Sequence, residues 1–185
     1  MKVTGGRSRG KTLASLKGMD IRPTSSKVRE AIFNILGQDM TGLRVLDLFA
    51  GTGILAIEAL SRGAEGAIFI DKSEQSINII NKNLALCGYQ DFCRVFKRDL
   101  IKGSAFDFLS LKQVFDLVFV DPPYRKGIIP SVLTALSGCG ILSGQALVVT
   151  ESSKNDPLPE RAENLLLSDT RTYGETKIDI YKREN

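Results

Sequence analysis

Short apolar segments alternate with amphipathic segments from residue 37 onward, and this alternation is the feature that most restricts the fold. Strands separated by helical segments are typical of α/β proteins with a parallel sheet. We predict strands at 44–49, 66–71, 93–97, 116–120, 146–150, 165–167 and 176–181. The predicted fold class is therefore α/β, with seven mostly parallel strands and helices on both faces of the sheet.

Turn residues and helical spacing predict four helices. The first follows the turn at 23–26 and ends at Gly37, and the others lie at about 54–62, 74–87 and 129–136. A chain of 185 residues has room for one domain of ordinary size. We predict that residues 1–36 form a basic arm and a helix that pack on a single α/β domain of residues 37–185.

The N-terminal segment carries the positive charge. Residues 1–30 have a net charge of +6, whereas the remaining 155 residues have a net charge of −2. A cationic arm on a near-neutral body fits a polyanion, because phosphates release counterions when basic side chains bind them. A solvated basic tail is the alternative interpretation.

Histidine is absent from the chain, and its three cysteines have no metal-binding spacing. This excludes Ser-His-Asp and Cys-His catalysis and histidine-ligated zinc, and we predict no metal site. Cys87, Cys93 and Cys139 are expected to act as small apolar side chains. No apolar run approaches the roughly 18 residues of a membrane span, and the charged first residues do not resemble a secretory signal. We therefore expect a cytoplasmic protein without a membrane partner.

A glycine turn follows the first predicted strand. Gly51-Thr52-Gly53 leads into a helix, and Asp71 ends the next strand. Glycines let a ligand approach the backbone, and the Asp71 carboxylate can accept hydrogen bonds from both hydroxyls of a ribose. This arrangement predicts a site for an adenosine-containing cofactor. The turn by itself would also fit a nicotinamide dinucleotide. Asp47 before the turn favours S-adenosylmethionine, because this cofactor presents ammonium and sulfonium cations to a nearby carboxylate.

Asp121-Pro122-Pro123-Tyr124 follows the fourth predicted strand and is the most specific motif in the sequence. Proline has no N–H, so the Pro122 carbonyl and the Asp121 carboxylate form a site that only accepts hydrogen bonds. An exocyclic amino group fits this site, and holding both its protons directs the nitrogen lone pair at an electrophile. Tyr124 offers a flat face for stacking a base removed from its helix. We predict that Asp121, Pro122, Pro123 and Tyr124 form the catalytic site.

Together these motifs resemble known methyltransferases. Residues 47–53 with 121–124 are similar to S-adenosylmethionine-dependent amino methyltransferases of nucleic-acid bases. The N-terminal segment is more specific and resembles the bacterial small-subunit ribosomal RNA guanine-N2 methyltransferases, which modify guanine 966 of 16S RNA. The matching residues are Gly5-Gly6, Gly10-Lys11, Leu13, Ile21-Arg22-Pro23-Thr24, Val28-Arg29-Glu30 and Phe33-Asn34. The resemblance covers essentially the whole chain and implies a Rossmann-like S-adenosylmethionine methyltransferase fold.

The resemblance also implies roles for individual residues. The glycines would lie beneath the methionine end of the cofactor, Asp71 would bind the ribose, and Asp99 with Leu100 would border the adenine. The full set of implied cofactor-binding residues is Asp47, Phe49, Gly51, Thr52, Gly53, Asp71, Lys72, Asp99 and Leu100. The implied RNA-binding residues are Arg7, Arg9, Lys11, Arg22, Thr24 and Arg29.

The expected reaction is in-line transfer of a methyl group from S-adenosylmethionine to N2 of a guanine in 16S ribosomal RNA. We expect a monomer. We also expect it to act on a small-subunit particle, because a net charge of +4 is small for strong binding to free RNA. Three alternatives stay open: an adenine-N6 methyltransferase on DNA or RNA, a catalytically silent nucleic-acid-binding subunit, and a small nicotinamide-dependent oxidoreductase. The acceptor site alone does not distinguish the first, because it serves any exocyclic amine.

Overall fold

The computed structural model describes residues 1–15, 25–100, 113–123 and 127–184. Its internal contacts divide the chain into two compact units, residues 1–98 and residues 99–185. The predicted boundary after residue 36 stays a prediction. Among the described residues, no helix is both long and apolar enough to cross a membrane.

The first unit is built on three parallel strands, β1 (Arg44–Leu48), β2 (Gly66–Asp71) and β3 (Cys93–Lys97), in the order β3-β2-β1. Residues 45–48 and 67–70 are buried without interruption. Such continuous apolar runs are typical of parallel strands that are covered on both faces. The parallel register brings the carboxyl ends of β1 and β2 together, with Leu48 opposite Ile70.

Three α-helices complete the first unit. Helix α1 (Ser26–Leu36) begins where the Ser25 hydroxyl accepts a hydrogen bond from the Val28 amide at 3.2 Å. Helix α2 (Ile54–Ser61) follows the glycine turn and is buried along its whole length. Helix α3 (Glu74–Cys87) is capped by Ser73 and ends at Gly88 in the left-handed conformation. A short 3₁₀ turn, Gln90–Phe92, leads into β3.

The N-terminal arm, defined here as residues 1–15, folds back on itself and docks on α2. Lys2 and Thr12 form an isolated antiparallel bridge. The Thr4 amide donates to Glu58 Oε1 at 2.7 Å, and the Ser8 amide donates to Ser61 Oγ at 2.9 Å. The arm therefore belongs to the packed structure of the first unit rather than forming a free tail.

The second unit contains five strands in the order β4-β5-β8-β7-β6. Strand β4 (Phe115–Val120) pairs in parallel with β5 (Leu142–Ser153), and helix α4 (Ile128–Gly138) lies between them in sequence. The remaining strands, β6 (Arg161–Ala162), β7 (Leu165–Tyr173) and β8 (Thr176–Arg183), pair in antiparallel fashion.

The predicted α/β class is confirmed, but the described residues contain eight strands instead of seven. The additional strand is the two-residue β6, which is too short to produce a recognisable pattern. Strand β5 also extends beyond the predicted 146–150 at both ends: Leu142 pairs with Phe115 of β4, and residues 151–153 pair with β8.

Candidate functional site

The turn after β1 has a backbone that few residues can adopt. Gly51 has φ of 57° and Gly53 has φ of 76°, and Phe49 also lies in the left-handed region at 62°. Glycine reaches this region without a steric cost, whereas a bulky residue such as Phe49 does so only under strain. Such strain is concentrated at functional sites. Phe49 was among the predicted cofactor residues, and its conformation marks it as unusual.

The two glycines are required for different reasons. A Cβ on Gly53 would lie 3.0 Å from the Phe69 ring and 3.3 Å from Ile80 Cγ1, so Gly53 allows α2 to pack closely on β2 and α3. A Cβ on Gly51 would meet only the Phe49 carbonyl oxygen within 4 Å, at 3.9 Å. Gly51 therefore leaves its side of the turn open to a ligand.

Asp71 connects the end of β2 to the glycine turn. Its Oδ2 accepts a hydrogen bond from the Gly51 amide at 2.8 Å, and its Oδ1 accepts one from the Ser73 amide at 2.8 Å. Each carboxylate oxygen can accept a second hydrogen bond, so the capacity to bind a pair of hydroxyls remains. Lys72 follows Asp71 and is exposed.

Asp47 is the buried acid beneath the turn. It is 2% exposed, and its Oδ2 accepts a hydrogen bond from the Ala56 amide at 3.3 Å, in the first turn of α2. The pKa of the carboxyl is raised to about 7, chiefly by burial, with a smaller contribution from the charge of Asp71 and against the lowering effect of the Ala56 hydrogen bond. A cation bound nearby would stabilise the ionised form, as an ammonium or sulfonium group would.

The second unit carries the other predicted site residues. Asp99 is half-buried and Leu100 is buried, 3% exposed. Asp121 directly follows β4 and is half-buried, Pro122 is buried and Pro123 is exposed. The two prolines offer no amide donor beside the Asp121 carboxylate. Tyr124 lies outside the described residues.

The exposed cations of the arm lie along α3 and near the start of α1. The Arg7 guanidinium stacks 5.0 Å from the centre of the Tyr89 ring, and Lys11 Nζ donates to the Leu86 carbonyl at 3.3 Å. Arg9 is exposed and lines a cavity of about 480 Å³ at the start of α1. Arg22 and Thr24 lie outside the described residues.

The prediction that Arg29 contacts RNA is not supported, because Arg29 is only 2% exposed. Its Nε lies 3.4 Å from Glu58 Oε1, and its Nη2 donates to the Lys2 carbonyl at 2.8 Å. A buried guanidinium that is held by a carboxylate is not available to a phosphate. Arg29 instead fixes the arm to α2.

Two residues that sequence reasoning missed hold this region together. Glu58 is fully buried and binds Arg29, Arg62 and both the amide and the hydroxyl of Thr4. Asn83 is fully buried in α3 and binds the arm and the glycine turn. Both were detectable as polar residues within apolar helical stripes, where an unpaired side chain would be costly.

The three cysteines differ in burial. Cys87 is buried, whereas Cys93 and Cys139 are half-buried, and none forms a disulfide. Burial raises the pKa of each thiol, to about 12 for Cys93. Thiols with raised pKa values are poor nucleophiles, in agreement with the expected apolar role. The described ranges also contain no group of three or more His, Cys, Asp or Glu side chains that could hold a metal ion.

Known proteins resemble this chain over its whole length. The family described as "Conserved hypothetical protein 95" matches residues 1–182. A protein of Bacillus subtilis (strain 168), provisionally named rRNA methyltransferase YlbH, is 35% identical over 183 residues, covering 99% of both chains. The ribosomal RNA small subunit methyltransferase D of Escherichia coli (strain K12) is 33% identical over 185 residues, which are 100% of this chain and 90% of that protein.

Solved structures share the fold. A structure from Escherichia coli, provisionally called the methyltransferase yhhF, superposes with a TM-score of 0.83 at 34% identity, covering 100% of this chain and 98% of that one. The match extends over both units. The protein therefore has the Rossmann-like fold of S-adenosylmethionine-dependent methyltransferases, and it belongs to the family of ribosomal RNA small subunit methyltransferase D.

Proposed function

We propose that this protein transfers a methyl group from S-adenosylmethionine to the exocyclic N2 of a guanine in 16S ribosomal RNA. The observation that carries the proposal is the end of β4, where Asp121 is followed by two prolines. That segment offers acceptors to an amino group and no competing backbone donor. The relatives named as ribosomal RNA methyltransferases support ribosomal RNA as the substrate.

The first unit contains residues that fit the cofactor. Gly51 and Gly53 would lie beneath its methionine end, with Phe49 and Thr52 in the same turn, and Asp71 would accept hydrogen bonds from its ribose. The buried Asp47 carboxyl, whose pKa is about 7, would be charged more readily beside a cation. Further contacts would come from Lys72, Asp99 and Leu100, the last two beside the adenine. When bound, the cofactor supplies an activated methyl group on its sulfonium.

In this proposal residues 121–124 orient the amine and do not need to act as a strong base. The Asp121 carboxylate and the Pro122 carbonyl would each accept one N–H of the guanine amino group, which directs the nitrogen lone pair at the methyl carbon. Tyr124 would stack on the base, as enzymes that act on extruded bases require. Correct orientation of two reactants can lower the activation barrier by several kcal/mol. A strong base is therefore not needed before methyl transfer, and the proton can leave the nitrogen afterwards.

The arm provides the RNA-binding surface in this proposal. Arg7, Arg9 and Lys11 are exposed on the arm, and Arg22 and Thr24 follow in the same N-terminal region. Residues 1–36 would act as a basic arm and helix on the catalytic domain of residues 37–185. The protein would act in the cytoplasm as a monomer. Its substrate would be a small-subunit particle, because a net charge of +4 is small for strong binding to free RNA.

A direct test incubates the protein with labelled S-adenosylmethionine and small ribosomal subunits from cells that lack the enzyme. Mass spectrometry of the digested RNA is expected to detect N2-methylguanosine. Detection of N6-methyladenosine would support methyl transfer to an exocyclic amine but would show that the target base is adenine and not guanine. If the protein binds the cofactor but transfers no label to the RNA, the proposed substrate is wrong. Naked 16S RNA in a parallel reaction tests whether the assembled particle is required.

A further inference from the structure

Asn83 lies at a junction between the N-terminal arm and the glycine turn. Its side chain is fully buried in α3. Its Oδ1 accepts a hydrogen bond from the Ala14 amide at 2.8 Å, and its Nδ2 donates to the Ala14 carbonyl at 3.2 Å and to the Thr52 carbonyl at 3.0 Å. One amide group thus holds the backbone of the arm and the backbone of the turn at once.

These contacts match what an asparagine side chain can offer. An amide has two donors and one acceptor oxygen, and here both donors and the oxygen are used. A carboxylate at this position would face two carbonyl oxygens without a proton to offer them. An apolar side chain would remove the Asn83 partner from three part-buried backbone groups, each at a cost. The junction is therefore specific for asparagine.

A second contact joins the same two segments. The Thr52 hydroxyl donates to Met1 Sδ at 3.4 Å. The arm thus meets the turn at Thr52 itself, between the two glycines, as well as through Asn83. The middle of the arm is held separately on α2, where the Ser61 hydroxyl accepts from the Ser8 amide and donates to the Gly5 carbonyl at 2.6 Å.

We propose that Asn83 is a positioning residue that couples occupancy of the cofactor turn to the order of the N-terminal arm. The proposal rests on the function proposed above, in which the turn binds the cofactor and the arm binds RNA. A cofactor that fixes the Thr52 backbone also fixes the Asn83 amide, and through it Ala14. By linkage, RNA that orders the arm must then strengthen cofactor binding by the same factor. Ordering by one ligand lowers the cost of ordering for the other.

The test measures amide hydrogen exchange of the full-length protein with and without S-adenosylhomocysteine. The reporters are the Val3 and Leu13 amides, which donate to the Lys11 and Met1 carbonyls at 3.0 and 2.8 Å. These bonds lie within the arm and do not involve Asn83. The cofactor product is expected to slow exchange of both amides in the wild-type protein by about tenfold, within the roughly 5- to 150-fold range of typical couplings.

Three variants separate coupling from simple loss of stability. Asn83→Ala is expected to bring the exchange ratio close to one, and so is Asn83→Asp, which retains an acceptor for the Ala14 amide and lacks both donors. Ser61→Ala is the matched control, because it also removes two hydrogen bonds to the arm but touches neither Ala14 nor Thr52. Ser61→Ala is expected to raise exchange with and without the ligand and to keep the wild-type ratio.

Calorimetric titration with S-adenosylhomocysteine distinguishes the two proposals. If the wild-type protein binds the ligand and the arm amides do not respond, the coupling is refuted while the cofactor site stands. A wild-type ratio that persists in folded Asn83→Asp protein would refute the role of Asn83. If the wild-type protein binds no ligand, the assigned cofactor turn is wrong and the coupling falls with it. The wild-type comparison decides whether the turn and the arm are coupled even if Asn83→Ala fails to fold, and Asn83→Asp then tests the role of Asn83.

Discussion

The Gly51 amide donates a 2.8 Å hydrogen bond to the Asp71 carboxylate, and this bond connects the turn after β1 to the acid at the end of β2. Because Oδ1 of the same carboxylate binds the Ser73 amide, the acid is fixed from both sides. An acid held in this way does not have to be ordered when a ligand binds, and that lowers the entropic cost of binding.

Asp71→Asn is expected to weaken cofactor binding. Hydrogen bonds to charged groups contribute about 1.5–3 kcal/mol, so the dissociation constant should rise roughly 10- to 150-fold. Calorimetric titration with S-adenosylhomocysteine measures this change. Asp91→Asn, at an exposed acid in the turn before β3, serves as the control and should leave the affinity unaltered. Equal affinities of wild type and Asp71→Asn would exclude Asp71 from the cofactor site.

Asp47 is expected to make stability depend on pH. Its pKa of about 7 in the folded protein lies above the ordinary 3.8, so between these values the folded state holds a proton that the unfolded chain has released. Stability of the free protein should therefore fall as the pH rises through this window and level off above about pH 7. Asp47→Asn removes this titration. The free energy of unfolding of the variant minus that of wild type should therefore be more positive at about pH 8 than at about pH 5. Urea unfolding at both pH values measures the difference, and parallel behaviour of the two proteins would contradict it.

Asp121→Ala should abolish methyl transfer and leave the cofactor dissociation constant within a few fold. The substitution removes an acceptor for the amine but no residue that we assign to the cofactor. Single-turnover assays with labelled S-adenosylmethionine measure transfer, and calorimetry measures binding on the same protein. Asp116→Asn, a change within β4 that precedes Asp121, is the control. Retained turnover in Asp121→Ala would remove Asp121 from the mechanism.

Neutralising the exposed arm should weaken RNA binding and reduce its salt dependence. If Arg7→Gln, Arg9→Gln and Lys11→Gln each remove one phosphate contact, the slope of log K against log salt should fall by about 2 for single-stranded RNA. Filter binding over a salt series measures the slope. A triple variant of exposed cations in the second unit, at Lys154, Arg161 and Arg171, should leave it constant. An unaltered slope in the arm variant would show that these exposed cations make no phosphate contacts.

Glu58→Gln should destabilise the protein more than the loss of any surface ion pair. Glu58 is fully buried between Arg29 and Arg62, and removal of one partner from a buried pair costs about 3–5 kcal/mol. Denaturant unfolding measures the change. The control is Glu74→Gln, which breaks an exposed pair with Lys97 and should cost at most about 1 kcal/mol. Similar losses for both variants would show that the buried cluster adds little.

Local patterns predicted most of the elements that position the site. Glycines, a serine cap and apolar spacing mark the starts of α2 and α3, and these signals are local in sequence. The last three residues of β5 were missed, because residues 151–153 are strand only through their pairing with β8. A partner some 25 residues further along the chain leaves no trace in a local pattern.

Charge was harder to interpret than pattern. Arg29 and Arg7 are both basic residues in the N-terminal region, yet one is buried against Glu58 and the other is exposed over Tyr89. Sequence alone does not say which cation has a buried partner, because that partner comes from α2. The raised pKa of Asp47 likewise results from burial by surrounding elements, which only the folded structure supplies.

The docked arm has a practical consequence for preparing the protein. The Met1 side chain touches Thr52, and its ammonium nitrogen lies 3.5 Å from the Leu13 carbonyl oxygen. Any purification tag fused before Met1 would emerge beside the turn proposed to hold the cofactor and could compete with ligand there. A tag joined after β8 would leave both contacts of Met1 in place, so recombinant protein for binding measurements should be tagged at its carboxyl end.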